Sequence, residues 1–366
     1  MHTSRHTYES QTHRLSERER EILRLVVKSF VHTAGPVGSR FLSRRYPLGL
    51  SPASIRNTMS DLEERGYLDH PYTSAGRVPT DLGYRTFVDE LMESVPVTAD
   101  VRDTLRKKLQ PVRREADDLL RISTDLLGEL THLLGVVLSP RLSTGVLDRL
   151  EVVPLSSTRV MFILSVRGGL IRTMIFHMES EVELGRHELV RIVTLLNERL
   201  AGLTLEEIRQ TCVPRVRDLG DDRTGIVRLI LNESSTLFSE VTEERKVAYR
   251  GTPNIIELPE FQEPSELKSL IELLEDDETM LYLFEEPEQN GEAEVGGVSV
   301  RIGKENKCEH VGVDTVERYS IVKARYKFGD TVGTIGVIGP TRMDYPRVVA
   351  LVEEVARHMS RLSDAS

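Results

Sequence analysis

Arg56 and Asn57 stand side by side in SPASIRNTMSDLEERG, flanked by Ser54 and Ser60. These side chains suit base edges in the DNA major groove: Arg pairs with guanine, Asn with adenine, Ser with either. Their placement follows from the local sequence. Ser51 is a helix N-cap, Pro52 fits the first helical position, and Gly66 follows the last turn. Ile55, Met59 and Leu62 recur at helical spacing and must face a core, which turns Ser54, Arg56, Asn57 and Ser60 to the opposite face. Acids enter only at Asp61, Glu63 and Glu64, so the positive end of the helix dipole is unopposed at the leading half.

The charge of the whole chain argues the other way until it is divided. The 366 residues hold 48 Lys and Arg against 58 Asp and Glu, a net −10. An acidic chain does not coat nucleic acid. Yet residues 1–60 hold ten basic residues and four acids, so the remainder carries sixteen more acids than bases. Ile22 to Ser60 has no acid and six basic residues: Arg24, Lys28, Arg40, Arg44, Arg45 and Arg56. Such a face suits phosphates, because each Lys or Arg at a duplex releases condensed counterions.

The elements that must carry these residues are legible. Leu15-Ser16-Glu17-Arg18-Glu19 contains a capping box that starts a helix with Ile22, Leu25, Val26 and Phe30 on one face. A second helix fits Ser39 to Arg45. After the Ser51 helix, Tyr67 to His70 reads as a strand, Pro71 to Gly76 as a turn-rich tip and Arg77-Val78-Pro79 as the return. Thr80 caps a helix with Tyr84, Phe87, Val88 and Leu91 on one side. Three helices, a hairpin and a closing helix make a winged helix-turn-helix, whose second paired helix enters the major groove. Thr73, Ser74 and Arg77 lie on the wing, where Arg77 beside flexible Gly76 is placed to reach phosphate or the minor groove. Three-helix units also serve protein binding, and a hairpin Arg is often merely solvated; the acid-free stretch favours DNA. The candidate contacts are Arg40, Arg44, Arg45, Ser54, Arg56, Asn57, Ser60, Thr73, Ser74 and Arg77.

The stretch SPASIRNTMSDLEERGYLDHPYTSAGRVPTDLGYR, and within it TSAGR-V-PT-x-x-GYR, resembles the HrcA family of bacterial heat-inducible transcription repressors. Tyr72 departs from it, since family members often carry His there. GTPNIIELPEF, RIGKEN and GTIGVIGPTRMDYPRV extend the resemblance from about Leu15 to Leu362. It implies a winged-helix domain, a GAF-like domain and a dimerising domain inserted into the latter. It also implies a homodimer on an inverted-repeat CIRCE operator, upstream of chaperonin and Hsp70-system operons, with the GroEL chaperonin keeping the repressor active and heat inactivating it.

The rest of the chain reads as α+β, with strands, then helices, then strands, which points to one domain interrupted by an inserted helical unit. A charged linker helix is expected from Asp100 to Leu134. Strands are expected at 146–155, 158–166 and 170–177, with a Gly168-Gly169 hairpin, then helices at 186–200, 224–241 and 264–274. Further strands are expected at 280–284, 298–302, 319–326 and 332–338, and a last helix at 345–362. The expected division is 1–95 DNA-binding, 96–140 linker, 141–182 first GAF-like part, 183–255 inserted dimerisation unit and 256–366 second GAF-like part.

Other chemistry finds little support. Gly333, Gly336 and Gly339 imitate a nucleotide loop, but one helix fills most of the remaining chain, so a strand and turn is the better reading. Cys308-x-His310 is a two-ligand fragment without a matching pair, and no metal or cofactor is expected. No G-x-S-x-G, P-loop or H-E-x-x-H occurs, which speaks against an enzyme. Two distant cysteines, no apolar run of membrane length and no secretory h-region fit the cytoplasm. The expectation is a dimeric DNA-binding repressor. The alternative is a winged-helix repressor controlled by a small molecule in the GAF-like domain.

Overall fold

The computed structural model describes residues 15–71, 76–112, 116–178, 185–219, 223–238, 247–285, 296–307 and 314–364. Helix α1 (Glu17–Thr33) begins at the capping box: Ser16 Oγ accepts from the Glu19 N–H, and the Glu19 carboxylate accepts from the Ser16 N–H. Its Ile22, Leu23, Leu25, Val26 and Val27 are buried. Helix α2 (Ser39–Arg45) and helix α3 (Pro52–Glu64) pack against it through Leu42, Ile55, Met59 and Leu62. Strands β1 (Leu68–Asp69) and β2 (Val78–Pro79) form a short antiparallel pair. Thr80 caps helix α4 (Asp81–Thr86), which continues as a π turn over Phe87–Leu91.

The expected linker helix is two helices, α5 (Ala99–Leu109) and α6 (Ala116–Thr131). Pro111 lies in a 3-10 turn between them, where its missing N–H cannot serve an α-helical ladder. Leu134, the expected helix end, instead opens β3 (Leu134–Leu138), which is buried throughout. A strand buried on both faces shows no alternation to separate it from a helical apolar run.

Among the described residues a five-stranded antiparallel sheet has the order β7-β3-β10-β9-β8, with β7 (Val247–Arg250), β8 (Val298–Ile302), β9 (Tyr319–Phe328) and β10 (Thr331–Pro340). One face packs on α6 and the last helix, α13 (Tyr345–Asp364). The other packs on α10 (Thr252–Ile256), α11 (Pro264–Glu275) and α12 (Asp277–Phe284). Helix α12 replaces the strand expected at 280–284. Asp276 caps it by accepting from the Thr279 N–H, and an eight-residue apolar segment carries no period that excludes either state. Gly333, Gly336 and Gly339 all lie on β10; a Cβ there would meet Tyr326, Val322 and Leu133, so the glycines serve close packing.

A second sheet, β4 (Leu147–Pro154), β5 (Arg159–Val166) and β6 (Ile171–His177), is separate from the first. Its core is shared with α7 (Arg186–Leu200), α8 (Leu205–Val216) and α9 (Ile226–Leu237). Strands β4 to β6, which fall in the stretch 141–182 expected to form one domain with 256–366, therefore pair with one another and not with the five-stranded sheet. The whole segment from β4 to α9 leaves after β3 and returns at β7, and β3 and β7 are paired neighbours. Gly168 and Gly169 turn the β5–β6 hairpin with φ of 96° and 93°.

One buried apolar cluster runs without a break from α1 through Tyr84, Phe87, α5 and α6 to α13 and the five-stranded sheet. Tyr84 and Tyr345 meet within it, ring centroids 5.8 Å apart.

Candidate nucleic-acid interface

The short strands are what hold the exposed face of α3 in place. Val37 and Arg77 exchange backbone hydrogen bonds, both 2.9 Å, which fasten the hairpin return to the chain entering α2. A Cβ on Gly76 would sit 2.4 Å from the Val37 carbonyl carbon. Gly76 is thus a close-approach position, where the sequence reading took it for a flexible one.

Arg56 and Asn57 are exposed on the leading half of α3, as Arg40, Arg44 and Arg45 are on α2. Ser54 and Ser60 are half-buried. Arg40, Arg56 and Arg77 line one cleft of about 270 Å³ with Gly38, Ser39 and Gly76. Thr73 and Ser74 lie outside the described residues.

Two side chains have partners that spacing did not reveal. Ser54 accepts from Arg18 at both its carbonyl and its hydroxyl, at 2.8 and 2.5 Å. Arg18 thereby adds a cation beside the first turn of α3; a separation of 36 residues left no local signal for it. Arg77 is mostly buried and its guanidinium pairs with Glu63. It braces the hairpin against α3 rather than projecting from the tip. Glu63 also meets His70 Nδ1, and with Asp69 these form a cluster of metal-ligand type. The Arg77 guanidinium already supplies positive charge to the shared carboxylate, which disfavours a cation there.

Glu19 carries the same bracing logic. Although burial opposes it, the Ser16 cap and Arg65 hold its carboxyl below the usual range. Arg65 thus joins the end of α3 to the start of α1. The result is an exposed cationic face on a backbone fastened from behind, with the acids of α3 confined to its trailing half at Asp61, Glu63 and Glu64. It can neutralise phosphates and present Arg and Asn to base edges. Cys308 and His310 lie outside the described residues. No described helix is long and apolar enough to cross a membrane.

Relatives of the chain are transcription repressors. A protein 38% identical over 353 residues, covering 95% of this chain and 98% of its own, is the heat-inducible transcription repressor HrcA of Chlorobium phaeobacteroides strain BS1. The protein of the same description from Chlorobium chlorochromatii is 39% identical, with coverage of 94% and 97%. The family model "HrcA protein C terminal domain" matches residues 117–349. A crystal structure described as a hypothetical protein at 2.2 Å shares the fold, with a TM-score of 0.60 and 22% identity over 96% of this chain and 99% of that one. The class is thus a multidomain α+β transcription regulator. The chain belongs to the HrcA family.

Proposed function

We propose that this protein is a heat-inducible repressor that binds DNA as a homodimer, each subunit reading half of an inverted-repeat operator. On this reading residues 15–95 form a winged helix-turn-helix with α3 in the major groove. The five-stranded sheet and its helices form a GAF-like domain, and the β4–α9 unit inserted between β3 and β7 pairs the subunits. The observation that carries the reading is the exposed Arg56–Asn57 pair on the acid-free half of α3, in a chain of this family.

The family resemblance supplies the finer terms: a CIRCE operator, control of chaperonin and Hsp70-system operons, activity maintained by the GroEL chaperonin, and a cytoplasmic setting. The physical rationale is that a fold of modest net stability loses its native fraction steeply on heating. Both faces of the five-stranded sheet are filled by buried apolar side chains, which favours this reading over small-molecule control from that domain.

The test is sequencing of duplexes selected from a random pool by the purified protein, with and without chaperonin. The expected result is an inverted repeat, enriched more strongly when chaperonin is present. Selection of no repeat would sink the operator reading. Equal enrichment in both arms would sink the chaperonin part alone.

A further inference from the structure

The N-terminal unit is gripped by the sheet domain at two separate elements. On α4, the Arg85 guanidinium donates to both Glu305 carboxylate oxygens, at 2.8 and 2.5 Å, and to the Val300 carbonyl at 2.6 Å. One turn earlier, the Asp81 carboxylate accepts from the Lys304 N–H at 3.1 Å. It lies against Gly303, where an added Cβ would come within 2.5 Å of it. At the end of α1, Arg342 donates to the Val31 carbonyl at 2.8 Å while its other nitrogens hold Glu260. Between the two grips the contact is incomplete. A cavity of about 500 Å³ opens between Val27, Val31 and Phe87 on one side and Met343 and Pro346 on the other.

A body held at one point can turn about it; one held at two elements cannot. The Arg85–Glu305 pair is bidentate and the other contacts are directional hydrogen bonds, so together they select one orientation where apolar packing would tolerate several. None of them involves Arg56, Asn57, Arg40, Arg44 or Arg45, which stay exposed. The grip therefore does not mask the DNA-reading face. It fixes where that face points. In a dimer, that direction sets the distance between the two reading helices, and half-site spacing is a geometric quantity.

We propose that Asp81 and Arg85 are positioning residues for operator binding: their hold on the 300–305 turn sets the half-site spacing that the dimer accepts. The proposal rests on the dimeric inverted-repeat reading above. Linked binding gains its advantage only when both sites are engaged without strain, so a loosened head loses the second half-site first.

The experiment uses full-length protein with Asp81→Asn/Arg85→Met, which loosens the grip from α4, and Gly303→Ala, which displaces Asp81 from the sheet side. Affinity is measured for a single half-site duplex, for the inverted repeat, and for repeats with one or two base pairs added or removed. Light scattering gives the mass of each protein. The expected result is dimeric variants whose half-site affinity stays within about twofold of the parent. Their inverted-repeat affinity falls by about tenfold or more, and their spacing preference flattens. Variants that keep the parent's spacing preference and repeat affinity overturn the proposal. So does an equal loss on half-site and repeat, which would mean that the head itself had been damaged. A parent that is monomeric, or that binds repeat and half-site alike, overturns the underlying dimer reading instead, and does so before any variant is made.

Discussion

Arg77 Nη2 lies 2.5 Å from Glu63 Oε2, joining the hairpin to the trailing half of the candidate recognition helix. The two side chains are 22% and 20% exposed, so each loses a partner that water would replace only partly. We expect Arg77→Ala to lower the stability of the N-terminal unit by about 1.5–3 kcal/mol, in the range for a hydrogen bond to a charged group. It should also weaken binding to every duplex. Glu63→Gln should cost less stability and leave sequence discrimination intact. Urea unfolding beside gel shifts separates the effects; a fully stable Arg77→Ala protein would refute the bracing role.

Arg56 and Asn57 are expected to behave differently from Arg45. Arg56→Ala and Asn57→Ala should each reduce discrimination between operator and scrambled duplex by about 1–3 kcal/mol. Arg45→Ala should weaken both duplexes alike and lower the slope of log affinity against log salt by about one. Equal losses on both duplexes for Arg56→Ala would remove its base-reading role.

Cys212 is fully buried on α8, and burial pushes its thiol up to about 11. In the folded inserted unit it should react with a thiol reagent far more slowly than a free cysteine, because little thiolate forms and nothing reaches it. In a Cys308→Ser background, labelling should accelerate steeply with temperature as that unit opens. Rapid labelling at low temperature would contradict the packing around α8.

His358 on α13 is held below the usual histidine range, chiefly by burial, with Arg361 and Arg106 adding to the effect and Glu354 opposing it. Its Nε2 is buried without a partner. A histidine that resists protonation when folded binds more protons when unfolded, so stability falls as pH drops through the unfolded value near 6.5. Melting temperatures of the parent should decline from pH 7 to pH 5. In His358→Leu that decline should be shallower, and an unchanged slope would assign the acid sensitivity elsewhere.

The dimerisation proposal has a direct form because β3 and β7 are neighbours. Replacing residues 142–246 with a short turn should leave a folded protein that scatters light as a monomer. Excising only 183–255 should fail to fold, since it would remove β7 and strip the helices from the β4–β6 core. A folded dimer after the larger excision would place the pairing surface elsewhere.

The N-terminal unit was legible because its signals are local: the Ser16 capping box, Pro52 at the start of α3, and Gly66 with φ of 81° at its end all specify backbone within a few residues. What the sequence withheld depends on distance. The partnership of Arg18 with Ser54 and of Arg77 with Glu63 follows from tertiary placement, which spacing does not encode. Strand β3 and helix α12 are short apolar runs without a distinguishing period, so their types were open. Strands β4 to β6 look the same whichever sheet they join, so their pairing with one another apart from the five-stranded sheet carries no local signal.

The unbroken apolar cluster from α1 to α13 has a genetic consequence. Because the candidate DNA-reading helices and the sheet domain share one buried core, a defect at either end erodes the same reservoir of stability. Lesions that relieve repression should then fall not only on α3 but along the inner face of α13, at Val348, Val352, Val355 and Met359, out of reach of any base pair.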